Sequence, residues 1–144
     1  MKNPPETNHK FVVVLKKGLD SGVAMNAASH MVACLVARAS ETDSSAMQFV
    51  DYVDGDGNAH PVSALPLVVL GAKSGNHIHA ARLAALDASV PFVDFTESMT
   101  RDTYKEQMER TAALREEELT YWGLCMFGLR NEIDPITRKF SLWQ

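Results

Sequence analysis

Sixteen consecutive residues, Gly22 to Ala37, contain no charged side chain in the sequence GVAMNAASHMVACLVA. A helix over this run has no charged face to place in water, whereas a surface helix normally has one. Its polar residues are Asn26, Ser29 and His30, and helical spacing puts Asn26 and His30 on adjacent turns. The run is shorter than the roughly 20 residues needed to cross a bilayer. We therefore expect a helix that is covered on nearly all sides or that keeps one face for a partner or ligand.

Composition and charge narrow the class of protein. The chain has 144 residues, 46% of them hydrophobic and 22% charged, and a net charge of −4. This length fits one domain over residues 1–144, and the acidic balance provides no basic field for nucleic acid. Cys34 and Cys125 lie in apolar runs, so we expect reduced core residues of a cytoplasmic protein rather than a disulfide or a metal pair. Residues 1–9 are polar and contain two prolines, which is typical of a flexible leader.

Apolar runs alternate with helical patterns along the chain. We predict strands at Phe11–Leu15, Met47–Val53, Leu67–Leu70, Val90–Phe95 and Thr120–Leu129. We predict helices at Gly22–Ala37, from Ser74 or Asn76 to Ala88, and from Ser98 or Thr100 to Glu118, with a loop at Ser40–Ser45 and a turn at Asp134–Pro135. The alternation predicts an α/β three-layer sandwich around a mostly parallel sheet.

The segment Asp54-Gly55-Asp56-Gly57-Asn58 begins like a calcium-binding loop. The sixth position of such a loop is a glycine and the twelfth is a glutamate, but Ala59 and Leu65 stand there. A hairpin or tight loop is the better interpretation. No cofactor or metal site is expected elsewhere, because His77 and His79 lie two residues apart and do not share a helix face.

Four segments resemble the type II peptidyl-tRNA hydrolases: FVVVLKKGL with GVAMNAASHMVA, then PLVVLGAKSGNHIHAARLAALDASVPFVDF, ELTYWGL and IDPITRKFSLW. In this alignment Gly22 and His30 match the start of the family's first helix, and Asp94 matches its acidic strand end. Thr120 matches a strand threonine, and Ser98 stands at a further threonine position. The Asn-Ala-Ala helix, the Asp-Gly turn and the VDFT segment resemble more closely a sister group catalogued as domain of unknown function family 2000, which has no established activity.

The resemblance implies a small α/β/α domain around a four-stranded mixed sheet with one antiparallel strand. It also implies metal-independent cleavage of the ester between peptide and tRNA, and a homodimer. Val23 stands where the family has a lysine, and Ala27 where it has a glutamine. Without that lysine a cation for phosphate or for a developing oxyanion is missing, so a smaller ester or amide fits this chain better than a tRNA-linked substrate.

The resemblance, together with the polar position Asn26 of the uncharged run, supplies two sets of candidate residues. The expected catalytic residues are His30 as a general base or polarising donor, Asp94 to orient it, and Thr120. The expected substrate-binding residues are Gly22, Asn26 and Ser98. Five of the six have a structural alternative. His30 can be a core histidine, Asp94 a turn carboxylate and Ser98 a helix cap. Thr120 can be an ordinary strand threonine, and Asn26 can connect two covered backbone segments.

Two functions remain open from the sequence. The first is a hydrolase of an ester or amide, and the second is a non-catalytic module that binds a small ligand or a protein and acts as a dimer. The Met- and Ala-rich helix favours the second, since such residues suit close packing or a groove. The charged segment Arg101–Glu118 follows Asp94 and is a candidate lid over the site.

Overall fold

The computed structural model describes residues 8–144. Its strands are β1 (His9–Lys16), β2 (Phe49–Val53), β3 (Ala59–Ser63), β4 (Leu67–Ala72), β5 (Phe92–Thr96), β6 (Tyr121–Leu129) and β7 (Ser141–Leu142). Its helices are α1 (Ser21–Ala37), α2 (Glu41–Ala46), α3 (Gly75–Asp87), α4 (Tyr104–Ala112) and α5 (Arg130–Thr137), with short 3-10 turns at Glu97–Met99 and Glu116–Glu118. Most of the expected leader lies outside the described residues, and its last position, His9, is the first residue of β1.

Five strands form the main sheet in the order β5-β6-β1-β4-β7. β1 pairs with β4 in parallel, whereas β6 is antiparallel to both β1 and β5, and β7 is antiparallel to β4. The α/β class and the mixed sheet are therefore confirmed, but the sheet has five strands and antiparallel pairing predominates. A strand buried on both faces has the same apolar pattern in either direction, so the sequence does not reveal strand direction.

Helices cover both faces of the main sheet. Alternate residues of β1 point to opposite faces, and all of Phe11–Leu15 is buried. On one face Val13 packs with Ala27 and Met31 of α1. On the other face Val12 and Val14 pack with α3 and α5, including Ile133. The uncharged α1 is thus buried along one side only, and that side comprises Ala24, Ala27, Met31 and Leu35.

Two segments expected to be irregular are helical. The predicted loop at 40–45 contains α2, because the Ser40 side chain accepts a hydrogen bond from the backbone N–H of Asp43 and caps the helix. The predicted turn at Asp134–Pro135 lies inside α5. Burial of Ile133 and Thr137 against the sheet side of α5 outweighs the hydrogen bond that the proline removes.

The helix expected from Ser98 or Thr100 to Glu118 is much shorter. α4 spans only Tyr104–Ala112, and Thr103 is its N-cap, with its Oγ1 accepting from the Glu106 N–H. Glu106 and Arg110 stand four residues apart, a spacing that favours an ion pair on a helix, but Arg110 binds Asp102 instead. Tertiary contacts of the segment after β5 therefore override the local helical pattern.

Candidate functional site

A cleft of about 1300 Å³ opens beside β5, between α1 and the segment that leads into α4. Large apolar side chains form most of its walls. Those from α1 and β5 are Val23, Met31, Val93 and Phe95, and those from the opposite wall are Met99, Tyr104 and Met108. Ligand-binding clefts in proteins are commonly apolar with a few polar groups at fixed positions.

The polar groups of α1 lie on the cleft side of the helix. Gly22, Asn26 and His30 all line the cleft, and Asn26 and His30 are both exposed. The His30 ring stacks on Phe95 of β5, with 6.4 Å between ring centroids and 26° between their planes. Three of the residues predicted for the site are thus brought together, and His30 is not a buried core histidine.

The carboxylate of Asp94 lies elsewhere. Arg82 Nε of α3 donates to Asp94 Oδ2 at 2.7 Å, and the same guanidinium pairs with Glu116. Burial alone would lower the pKa of Arg82, but the hydrogen bond and charge of Asp94 raise it above its usual value. Asp94 contributes to the cleft lining, yet in the described part of the chain no hydrogen bond joins it to His30, so the expected orienting pair is not formed.

Strand geometry explains why Asp94 and His30 are separated. Successive strand residues point to opposite faces of a sheet. Val93 and Phe95 pack on the α1 face, whereas Phe92 packs on the α3 face. Asp94, two residues from Phe92, points to the same face of the sheet as Phe92, and its carboxylate binds Arg82 of α3. His30 projects from α1 on the opposite face.

Ser98 and Thr120 do not line the cleft. Ser98 is buried, and its Oγ is hydrogen-bonded to Thr96 Oγ1 at 2.7 Å and to Thr111 Oγ1 at 2.8 Å. These hydroxyls connect the end of β5 to α4. Thr120 is exposed just before β6, and its carbonyl accepts from the Glu97 N–H at 2.9 Å. In this arrangement Ser98 and Thr120 hold the backbone near the cleft together.

The rim of the cleft has an unusual backbone. Arg101 and Asp102 are consecutive non-glycine residues with φ of 61° and 65°, a region that L-residues seldom adopt. Arg110 Nη2 donates to the carbonyls of Thr100 and Arg101, and Gln107 Nε2 also donates to Arg101 O, at 2.9 Å. Side chains of α4 therefore fix the shape of this rim.

The sequence predicts the segment Arg101–Glu118 as a candidate lid over the site, but it does not single out the residues of the wall opposite α1. Tyr104 and Met108 are spaced one turn apart in a strongly charged segment, a pattern that by itself predicts only the thin apolar side of a surface helix. Their spacing, together with Met99, is the one sequence signal for this wall. Placing them beside α1 requires the fold of the segment after β5.

Within the described part of the chain, the thiols and the titratable side chains do not form a metal-binding cluster. In residues 8–144 no group of three or more His, Cys, Asp or Glu side chains is placed to hold a metal ion. Both cysteines are free. Burial raises the pKa of the Cys125 thiol to about 12, but Cys34 is exposed at the cleft rather than in the core as predicted. None of the described helices is long and apolar enough to cross a membrane.

Comparison with known proteins identifies relatives without a known activity. The solved structure of a protein of unknown function, Atu0240 from Agrobacterium tumefaciens strain C58, matches with a TM-score of 0.79 and 18% sequence identity, over 96% of this chain and 100% of that one. At this identity the likeness shows the fold alone. A search of curated proteins gives no significant match. A family model described as "Protein of unknown function (DUF2000)" matches residues 9–144. The chain belongs to the DUF2000 family.

Proposed function

We propose that this protein binds a small uncharged molecule, with an apolar body and one polar end, in the cleft between α1 and α4. The observation that carries the proposal is the cleft itself: about 1300 Å³ with two apolar walls and two polar side chains, Asn26 and His30, on one of them. This volume accommodates a drug-sized ligand, for which typical sites measure roughly 300–1000 Å³.

The wall opposite α1 supports an apolar ligand. Met99, Tyr104 and Met108 are 36%, 75% and 70% exposed, so three large apolar side chains face water beside one cleft. Covering such surface contributes roughly 25 cal/mol for each Å² removed from water. Methionine side chains are flexible and polarisable and adapt to ligands of different shape. A ligand body seated here gains affinity from burial without a strict shape requirement.

The charges around the cleft favour a neutral ligand. The charged lining residues each have an opposite charge nearby, in the pairs Asp94–Arg82, Asp102–Arg110 and Arg101–Glu97. The Asn26 amide can donate and accept hydrogen bonds, and the His30 imidazole can do either according to its tautomer. A hydroxyl, carbonyl or amide at one end of the ligand would form hydrogen bonds with both side chains.

Fluorescence of the neutral dye Nile red tests the proposal. We expect saturable binding with blue-shifted emission. Met108→Glu should weaken the affinity by about tenfold or more, because it places a charge on the apolar wall. Leu142→Glu is the matched control, since Leu142 is 66% exposed on β7 at the other edge of the sheet. Absence of saturable binding, or equal loss in both variants, would contradict the proposal.

A second candidate function is metal-independent hydrolysis of an ester or amide, on a variant of the peptidyl-tRNA hydrolase II sandwich. Its support is the position of His30 beside Asn26 in the same cleft. Hydrolysis of p-nitrophenyl esters and of peptidyl-tRNA, in the presence of a chelator, tests this candidate. Loss of activity in His30→Asn with unchanged Nile red binding would favour the hydrolase, whereas no hydrolysis by the wild type would favour the binding module.

The state of the cysteines supports a cytoplasmic location for this binding function. Cys34 and Cys125 are both free, and Cys34 is exposed. Exposed free thiols persist in reducing compartments, whereas oxidising compartments favour disulfides. Cell fractionation with an antibody to the protein tests the assignment, and recovery in a secreted fraction would contradict it.

A further inference from the structure

The strand β5 forms one edge of the main sheet, and in the described part of the chain only β6 pairs with it. A groove of about 680 Å³ runs along its free side. Cys34 and Arg38 of α1 line this groove on one face of the sheet, and Arg82 and Leu86 of α3 line it on the other, with residues 91–94 between the two walls. We call this feature the edge groove. A helix therefore flanks the free edge of β5 on each face.

The free side of β5 presents main-chain groups without a partner. The N–H of Phe127 in β6 donates to the carbonyl of Pro91 at 3.2 Å, so the main chain of residue 91 faces β6. Successive residues of an antiparallel strand direct their main-chain groups to alternate sides, so Phe92 and Asp94 direct theirs into the edge groove. Within residues 8–144 no hydrogen bond reaches the N–H and C=O groups of these two residues. Such an edge is a template for a further strand, and Pro91 does not interrupt it because that residue faces β6.

We propose that the edge groove binds an extended peptide segment of another protein, which adds to the sheet as a further strand beside β5. Hydrogen bonds to the main-chain groups of Phe92 and Asp94 hold the peptide, and its side chains supply specificity. The inference goes beyond the small ligand proposed above, because that ligand is assigned to the polar groups of α1 and the wall of α4 rather than to the main chain of β5. The two sites adjoin at Cys34 and Met99, which line both.

The two walls of the edge groove indicate which side chains the peptide carries. Alternate residues of a strand point to opposite faces of the sheet, so the peptide places its side chains in turn beside α3 and beside α1. On the α3 side Leu86 is 59% exposed, and the charge of Arg82 is already paired with Asp94. On the α1 side Cys34 is exposed on a helix that contains no charged residue. Both walls therefore favour apolar or uncharged side chains in the middle of the peptide.

Arg38 adds a charge requirement at one end of the groove. Its side chain is exposed, and within residues 8–144 no carboxylate forms an ion pair with it. It stands at the end of α1 beside Pro91 and Phe92, where β5 begins. A guanidinium binds a carboxylate through strong, charge-assisted hydrogen bonds. We therefore expect an Asp or Glu side chain in the peptide at the end that lies next to the start of β5.

The same features argue against a second copy of this chain as the occupant. In a second copy β5 lies between the same two helices, so an approach of edge to edge would bring its α1 and α3 against those of the first. A single extended chain has no such flanks and needs only the separation of neighbouring strands, about 4.8 Å. The one carboxylate of β5 belongs to Asp94 and is bound to Arg82, so a second β5 offers no free acid to Arg38.

Selection from a library of random heptapeptides displayed on phage tests the proposal. The selected sequences should have apolar central residues and an Asp or Glu at one end. The tightest of these peptides, labelled with fluorescein, is then measured by fluorescence polarisation with its main-chain nitrogens methylated one at a time. Methylation removes the N–H donor, so it should weaken binding by about tenfold or more at alternate central positions, those that face β5, and leave the intervening positions unchanged. A selection that yields no binder, or a methylation scan without this alternation, would overturn the proposal.

Charge variants locate the peptide on the molecule. Arg38→Glu should weaken the selected peptide by about tenfold or more, because it sets a like charge against the acidic end. Arg138→Glu is the matched control and should bind normally, since Arg138 is also an exposed arginine at the C-cap of a helix, α5, but does not line the groove. Met108→Glu, which disrupts the small-ligand cleft, should leave peptide affinity unchanged, so the two proposals can fail separately. Equal loss in both arginine variants, or self-association of the wild type in sedimentation velocity that Arg38→Glu abolishes, would refute the peptide site.

Discussion

Arg82 provides a sharp test of the role assigned to Asp94. Its guanidinium joins α3 to β5 through Asp94 and to the 3-10 turn before β6 through Glu116. It also lies 5.2 Å from the centre of the Phe92 ring. Replacement by methionine in Arg82→Met keeps much of the apolar contact but leaves two carboxylates without their cation. If Asp94 is a structural ion-pair partner, this change should lower the free energy of unfolding.

The expected size follows from the burial of the pair. Arg82 and Asp94 side chains are 22% and 18% exposed, between the surface and the interior. Breaking a fully buried pair costs about 3–5 kcal/mol, and exposed pairs contribute about 0–1 kcal/mol. By interpolation between these limits, we expect Arg82→Met to lower the free energy of unfolding by about 2 kcal/mol. Asp94→Asn should cost about 1 kcal/mol, and the double variant about 1 kcal/mol less than the sum of the two.

Urea denaturation followed by circular dichroism measures these free energies. Lys105→Met is the matched control, because the Lys105–Glu109 pair is 4.0 Å long and its side chains are 85% and 66% exposed; its change should stay within about 0.5 kcal/mol. Asp94→Asn should also leave Nile red binding unchanged, since the carboxylate faces α3. Equal effects of Arg82→Met and Lys105→Met, or strictly additive single changes, would refute the reasoning.

Two further predictions concern backbone packing and pH. A Cβ on Gly75 would lie 2.8 Å from the carbonyl oxygen of Tyr121, so Gly75→Ala should lower the free energy of unfolding in urea by about 1–3 kcal/mol. A Cβ on Gly22 would have nothing within 4 Å, so Gly22→Ala should leave this free energy unchanged or raise it by up to about 1 kcal/mol. The hydrogen bond from His60, with backbone N–H groups, lowers the pKa of Asp54 to about 2. Because this pKa lies below the unfolded value, the stabilisation that Asp54 gives the β2–β3 hairpin should be complete above about pH 4 and lost as pH falls towards 2. Carbon-13 NMR of the Asp54 carboxyl checks the value, and His60→Ala should raise it; an unchanged midpoint in that variant would contradict the assigned cause.

Several strands and helices could be predicted because a short stretch of sequence was enough to indicate each of them. Phe11–Leu15 is apolar at every position, which indicates a strand covered on both faces, and β1 is that strand. Ser74 is a strong capping residue before a helical pattern, and it caps α3. The uncharged run at Gly22–Ala37 predicted a helix, and α1 is that helix. Of the two alternatives for its surroundings, cover on nearly all sides is wrong, because α1 keeps two exposed sides, one at the cleft and one outward.

The position of Asp94 could not be predicted, for a definite reason. Its strand contains apolar residues in both phases, Phe92 on one side and Val93 and Phe95 on the other. Alternation therefore does not tell which face Asp94 occupies, and only the pairing of α3 with β5 through Arg82 decides it.

The boundaries of α4 could not be predicted either. Helix-forming residues continue from Thr100 to Glu118, so a local pattern indicates one long helix. The segment before Tyr104 is instead held by the hydroxyl contact of Ser98 with Thr111 and by Arg110. These partners are distant in sequence, and their effect appears only in the folded chain.

Methyl NMR of carbon-13-labelled methionine tests the central claim, ligand binding in the cleft, most directly. The cleft contains Met31, Met99 and Met108, while Met126 is buried on the opposite face of the sheet and Met25 is 64% exposed outside the cleft. On titration with Nile red the first three methyl signals should shift together and saturate at the affinity measured by fluorescence. Uniform shifts at all methionines, or shifts at Met25 and Met126 with none in the cleft, would contradict the account.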